Sequence, residues 1–266
     1  MVMRCRRRFF RDLLRICAMV PVALSLGTCG LESIVFLEGP RNDTLLPTSA
    51  DPAISFRISF LHNSSANNIP EFLGYELWYK FYDDLSGSGA GAGAPFDLDR
   101  AAITASPVVL GPSRLESRGF RRMLGPVAGE RPIIRLTDPE KADPSLRIYI
   151  SFSPNIGIEP SDQAVATWPT DQAGATVRVL RRSVGGSSIS ERFLPVDEEW
   201  YTPAGDFADI PALFAAPPGQ TARTIENIIS TTDLAIGIFV IAYGQNLQTF
   251  QPIYSEPVSL SYAKVQ

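Results

Sequence analysis

Few side chains of this 266-residue chain are of a type, and in a setting, to do chemistry. One is a thiol. Cys29 follows a basic stretch (Arg4, Arg6, Arg7, Arg8, Arg11 and Arg15) and an apolar run over 16–26, which ends Leu26-Gly27-Thr28-Cys29. A thiol placed there is an acceptor for acyl groups at the end of an export signal. The second is an imidazole. His62, the one histidine, stands in Leu61-His62-Asn63-Ser64. A Ser-His-Asp hydrolase would have to use it; a loop histidine with no role is the competing reading. The third kind is carboxylate. Asp197-Glu198-Glu199 precede Trp200-Tyr201, and Asp83-Asp84 close an aromatic segment. Neither has the alternating oxygens and Gly turn of a calcium loop, so both read as solvated acidic loops. Acids that cleave a glycosidic bond are brought together by folding, and that chemistry stays open. Zinc needs several His or Cys ligands; beyond residue 28 the chain has one of each. No catalytic residue, metal ligand or cofactor is assigned.

The segment before Cys29 is too short to be a membrane span. Its apolar run is about a dozen residues, against the roughly 20 a spanning helix needs, and Arg15 interrupts any longer one. An amphipathic N-terminus of a cytoplasmic protein fits the order basic, apolar, small less well. Residues 1–28 therefore read as a signal peptide, 29–52 as a lipidated tether with a first strand near 34–37, and 53–266 as one elaborated domain.

Residues 1–28 carry six Arg and one Asp, a formal +5 against −4 for the whole chain, so residues 29–266 stand near −9. Nucleic acid asks for a basic face, and no nucleic-acid partner is expected. Cys5 and Cys17 lie within the signal, which leaves no pair for a disulfide. The remaining 238 residues must be stabilised by an apolar core, and that length suffices for one large domain.

Leu26-Gly27-Thr28-Cys29 resembles the lipobox of bacterial lipoproteins, with Thr28 where Gly, Ala or Ser is usual, a relaxation seen in spirochaete lipoproteins. Cys29-Gly30-Leu31-Glu32 running into Phe36-Leu37-Glu38-Gly39-Pro40 is similar to the start of small spirochaetal lipoproteins of unknown role. The resemblance implies cleavage before Cys29, palmitate-type acylation of its thiol, and a cell-envelope location, on the periplasmic face or the outer-membrane surface.

The elements that must position any site are strands. Over 53–60, Ile54, Phe56, Ile58 and Phe60 fall on one face and Ser55, Arg57 and Ser59 on the other, the period of a half-buried strand. Over 74–82, Tyr75, Leu77, Tyr79 and Phe81 oppose Glu76, Trp78, Lys80 and Tyr82, which predicts a strand buried on one face and partly covered on the other. Further strands are expected at 108–110, 133–136, 147–152, 176–181, 234–243 and 258–263. Residues 86–94 are Gly, Ala and Ser alone and read as a flexible loop; the Lys and Ser/Thr of a phosphate loop do not follow. Short helical turns are expected at 206–215 and 221–230. The sum is an all-β chain, an antiparallel β-sandwich.

Gly74-Tyr-Glu-Leu-Trp-Tyr79 resembles the third strand of a fibronectin type III domain. Phe239-Val-Ile-Ala-Tyr243 and Tyr254-Ser-Glu-Pro-Val-Ser-Leu260 resemble its last two strands and their connection. The resemblance implies a fibronectin type III/Ig-like sandwich with a long insertion at about 83–230. The tryptophan usual in the second strand is missing, and Phe56 or Phe60 would take its space.

Trp78, Tyr82, Trp200 and Tyr201, with Trp168 and Tyr79, could form an exposed aromatic surface that binds a glycan or a partner protein; core packing is the rival. Arg114, Arg118, Arg121 and Arg122 read as a solvated basic face, with anionic lipid as an alternative contact. The chain is expected to be a membrane-anchored, extracytoplasmic binding or structural module of the envelope, without catalysis. Its rivals are a secreted hydrolase using acidic residues and the ligand-binding component of an importer. A hydrolase requires a cleft with convergent acids, a carrier an enclosed pocket, and a binding module an exposed patch or sheet edge.

Overall fold

Two long strands with apolar residues on both faces organise the chain. In the computed structural model, the described residues are 35–45, 57–83, 93–127, 129–151, 164–169, 174–181 and 234–264. The chain divides into Met1–Val35 and Phe36–Gln266, and every described strand and helix belongs to the second unit. Strand β3 (Phe72–Asp83) pairs antiparallel with β9 (Leu234–Gln245) along its whole length, from Phe72 opposite Gly244 to Asp83 opposite Leu234. The outer side of β9 takes β10 (Pro252–Tyr254) and β11 (Val258–Lys264) in succession. The outer side of β3 takes the two-residue strands β4 (Arg121–Arg122) and β5 (Ile134–Arg135).

The second sheet runs β1-β2-β6-β7-β8, antiparallel throughout. Its strands are β1 (Arg41–Leu45), β2 (Arg57–Leu61), β6 (Arg147–Ser151), β7 (Ala164–Trp168) and β8 (Thr176–Leu180). The segment between β3 and β9 thus supplies three of these five strands. The alternation expected over 74–82 sets the layers. Tyr75, Leu77, Tyr79 and Phe81 share one buried cluster with Ile58, Phe60, Ile148 and Ile150 of the other sheet, and with Ile236, Ile238 and Val240 of β9. The two sheets therefore face one core, and the antiparallel all-β expectation holds.

The opposite face of β3 and β9 has its own cover. Trp78, Tyr82, Phe239 and Ile241 pack with Phe96, Ile103, Leu115 and Phe120. Phe96 and Ile103 belong to helix α2 (Gly93–Ile103) and Leu115 to α3 (Ser113–Ser117). Helix α1 (Ser64–Asn67) follows β2, and α4 (Asp138–Ala142) precedes β6. Gly237 makes the close approach of α2 possible, since a Cβ there would stand 2.5 Å from the Phe96 ring.

Three expectations need correction. Residues 35–40 are not a strand, and regular pairing begins at Arg41; the Glu38 peptide unit is satisfied by the Asn67 side chain instead. Gly93 and Ala94 open α2 rather than closing a loop; packing of Phe96 and Ile103 on the sheet offsets the low helix preference of Gly93. Residues 108–110 form no strand, and Val108 and Leu110 are exposed. The turns expected at 206–215 and 221–230 lie outside the described residues.

Candidate functional site

A half-open cleft of about 880 Å³ lies where the chain enters the domain. That volume falls in the range of ligand-binding clefts, roughly 300–1,000 Å³. One wall is Glu38, Gly39 and Pro40 with Asn63. The other is the end of α2 (Arg100, Ile103, Thr104) and the following Val108 and Val109. Between them run Glu256, Pro257 and the first residues of β11, Val258, Ser259 and Leu260.

Each wall is held by specific bonds. Asn67 Nδ2 donates to the Glu38 carbonyl at 2.7 Å, and the Glu38 N–H donates to Asn67 Oδ1 at 3.1 Å. The carboxamide copies one step of a β-ladder, which is why 36–40 needs no partner strand. Asn63 Nδ2 donates to Glu38 Oε2 at 3.1 Å and to the Gly39 carbonyl at 3.3 Å. Gly39 lies against Val258, where a Cβ would come within 2.3 Å of a valine methyl. On the facing wall, Arg114 gathers the carbonyls that α2 leaves behind: Nη1 donates to Ile103 and Ala105, and Nη2 to Pro107 at 2.7 Å. This cation at a helix C-terminus satisfies orphan acceptors and opposes the helix dipole. The Gly111 N–H then donates to the Ser255 carbonyl at 2.9 Å, fastening this wall to the β10–β11 connection. Ser255 is itself fixed, accepting the Ala242 N–H at 2.9 Å and donating to the Glu256 carbonyl at 2.8 Å.

The lining thus mixes apolar residues with three charged ones, Glu38, Glu256 and Arg100. Arg100 is half exposed and pairs with Asp97 at 2.9 Å.

His62 is no catalytic base. It is buried at the end of β2 and stacks on Phe72 with ring centres 5.5 Å apart. Nε2 lies 3.0 Å from the Lys141 carbonyl, which only accepts, so the Nε2 proton is donated there. Nδ1 then accepts from the Tyr75 hydroxyl at 2.7 Å. Both ring nitrogens are engaged, which leaves none for a serine. Burial lowers the imidazole pKa and keeps the ring neutral. Burial likewise raises the Tyr75 hydroxyl well above its ordinary value.

Trp78 and Tyr82 are each only 5% exposed and belong to the core beneath α2 and α3. Trp78 Nε1 has no hydrogen-bond partner among the described residues. Tyr82 donates to Asp99 Oδ2 at 2.9 Å; Lys80 meets the same oxygen and also donates to the Arg118 carbonyl at 2.8 Å. Trp200, Tyr201, Asp197, Glu198, Glu199 and Cys29 lie outside the described residues. Trp168 is buried in β7 and donates to Glu140 Oε1 at 2.9 Å.

The basic stretch at 114–122, read as a solvated face, keeps Arg118 exposed while Arg114 and Arg122 are half-buried against partners. Besides Arg114 on its carbonyls, Arg118 stands 3.8 Å from Asp99, and Arg122 3.7 Å from Glu76. Glu76 is fully buried and meets Arg131 through both oxygens, with Nη2–Oε2 at 2.9 Å. Arg131 also donates to the Tyr254 hydroxyl at 3.0 Å and lies over the Tyr243 ring at 5.0 Å. The bond to Glu76 holds its guanidinium pKa above the ordinary value. This pair fixes the loop before β5 to the sheet.

No family model, curated protein or solved structure matches the chain. Among the described residues no group of three or more His, Cys, Asp or Glu could hold a metal ion, and no helix is long and apolar enough to cross a membrane. The cleft has no signature in the sequence because its lining comes from four separate segments. Glu38-Gly39-Pro40 drew notice only for its resemblance to lipoprotein starts, and Arg100 follows a stretch read as loop.

Proposed function

We propose that the chain is a lipid-anchored protein of the cell envelope, exported through 1–28 and acylated on Cys29. Its β-domain is a binding module that takes an extended segment of a partner polypeptide in the cleft. The single observation that carries the binding role is the cleft itself, about 880 Å³, whose lining mixes apolar residues with acidic and basic ones. Such a lining suits a peptide, whose side chains alternate between apolar and charged. A glycan would ask for an exposed aromatic platform, and the described aromatics proposed for that part, Trp78 and Tyr82, are covered.

We read the two sheets as an elaborated fibronectin type III-like sandwich. The neighbour order β3-β9-β11 supports this, because it is the order of that fold's third strand and its last two.

A photo-crosslinking residue at Thr104 tests the cleft. In intact cells it should capture one polypeptide, Arg100→Glu should abolish the capture, and the same probe at Val177 in β8 should capture nothing. Equal capture at both positions would contradict the binding role. One observation favours a second reading, a hydrolase: the carboxylates of Glu38 and Glu256 both line the cleft. An activity on peptidoglycan or peptide that Glu38→Gln and Glu256→Gln each remove would establish it.

A further inference from the structure

The connection between β9 and β10 carries two exposed apolar side chains, Leu247 and Phe250. Over 246–251 (Asn-Leu-Gln-Thr-Phe-Gln) there is no charged side chain. Leu247 is 55% and Phe250 69% exposed. The loop is nonetheless built. Asn246 Oδ1 accepts from the N–H groups of Gln248 and Thr249 at 2.8 and 2.9 Å. The Phe250 N–H donates to the Asn246 carbonyl at 2.8 Å, and Gln245 Nε2 donates to the Phe250 carbonyl at 2.9 Å. Phe250 has φ +58°, a left-handed conformation that a bulky L-residue rarely adopts. A bonded loop that holds an aromatic outward at such a torsion points to a use for it.

The location says what that use is. Leu37 packs beside Gly244, 3.0 Å from where its Cβ would be, so its neighbour Phe36, 64% exposed, stands at the end of the sheet that carries the loop. Six residues separate Phe36 from Cys29, and the seven Cα–Cα steps reach no more than about 25 Å. If Cys29 is acylated, this end of the domain cannot leave the bilayer surface. An acidic chain gains nothing from anionic head groups by charge; apolar side chains on an uncharged loop can enter the interface.

We propose that Leu247 and Phe250, with Phe36 beside them, insert into the interfacial layer of the membrane and set the domain upright on its anchor. The proposal rests on the acylation of Cys29. Its test uses the full acylated chain in phosphatidylcholine vesicles, with Phe250→Trp and, separately, Leu247→Trp. Flotation reads the anchor; quenching of the new tryptophan by brominated acyl chains reads the loop. Expected is flotation together with a blue-shifted emission that brominated lipid quenches beyond the wild-type level, in both variants. Flotation with no added quenching in either variant overturns the loop contact and leaves the anchor standing. Failure to float removes the anchor and the proposal with it. Tryptophans unquenched in vesicles but shielded from aqueous quenchers in intact cells would assign the loop to a protein partner and overturn the proposal.

Discussion

Asn67 pairs its whole carboxamide with the peptide unit of Glu38, giving one bond to the carbonyl at 2.7 Å and taking one from the N–H at 3.1 Å. This is how the entering chain is fixed to the domain, and it shapes one wall of the cleft. Asn67→Ala leaves two part-buried backbone groups without partners and should lower stability by about 2 kcal/mol. Urea unfolding monitored by tryptophan emission measures it. A loss under about 0.5 kcal/mol, the size of an ordinary surface change, would contradict the clamp.

The buried Glu76–Arg131 pair should behave as a unit. Arg131→Met leaves the buried Glu76 carboxylate with only Arg122, 3.7 Å away, and the expected cost is about 3 kcal/mol, the lower end for a broken buried pair. Glu76→Leu combined with Arg131→Met should cost clearly less than the sum of the single changes. Purely additive values in a double-mutant cycle would show that the two groups do not interact.

His62 gives the fold a pH dependence of defined sign. Its imidazole is lowered from an ordinary 6.5 by burial, so the unfolded chain binds the proton first as pH falls. Stability is therefore complete above 6.5 and declines below it, toward the folded-state pKa. Asp143 is held below its ordinary 3.8, chiefly by the Ser145 hydroxyl and N–H, and acts only at lower pH. The urea midpoint should therefore drop between about pH 7 and pH 5 in the wild type. His62→Gln keeps a donor and an acceptor and should flatten that limb; an unchanged slope would count against the neutral histidine.

Phe250 combines exposure with a strained torsion, and the two effects separate by substitution. Phe250→Gly relieves the left-handed conformation and removes no buried contact, so stability should rise by about 1 kcal/mol. Unfolding in detergent, away from any bilayer, measures it. Destabilisation would mean that the ring packs against the domain.

Where the fold was legible in the sequence, two-residue periodicity made it so. The residues of β3 and β9 alternate or run apolar for a dozen positions, and both appear at nearly their full length. Strand β7 (Ala164–Trp168) escaped because all five of its residues are buried and its small alanines give no alternation. Helix α2 escaped because it opens inside a Gly-rich stretch of small residues, and its packing on the sheet rests on the widely spaced Phe96 and Ile103. The site was the least legible part. A side-chain clamp such as Asn67 on Glu38 leaves no periodic trace, and a cleft whose walls come from separate segments of the chain exists only after folding. The same holds for Trp78, whose burial depends on a helix the sequence did not announce.

The proposed acylation of Cys29 underlies the proposed envelope location, orientation and partner class together. Metabolic labelling with a palmitate analogue, followed by membrane fractionation of cells producing the wild type and Cys29→Ser, tests it most directly. The expected result is a labelled wild-type band in the membrane fraction and no label in Cys29→Ser. Equal labelling of both proteins, or an unlabelled wild type recovered from the cytosol, would contradict it.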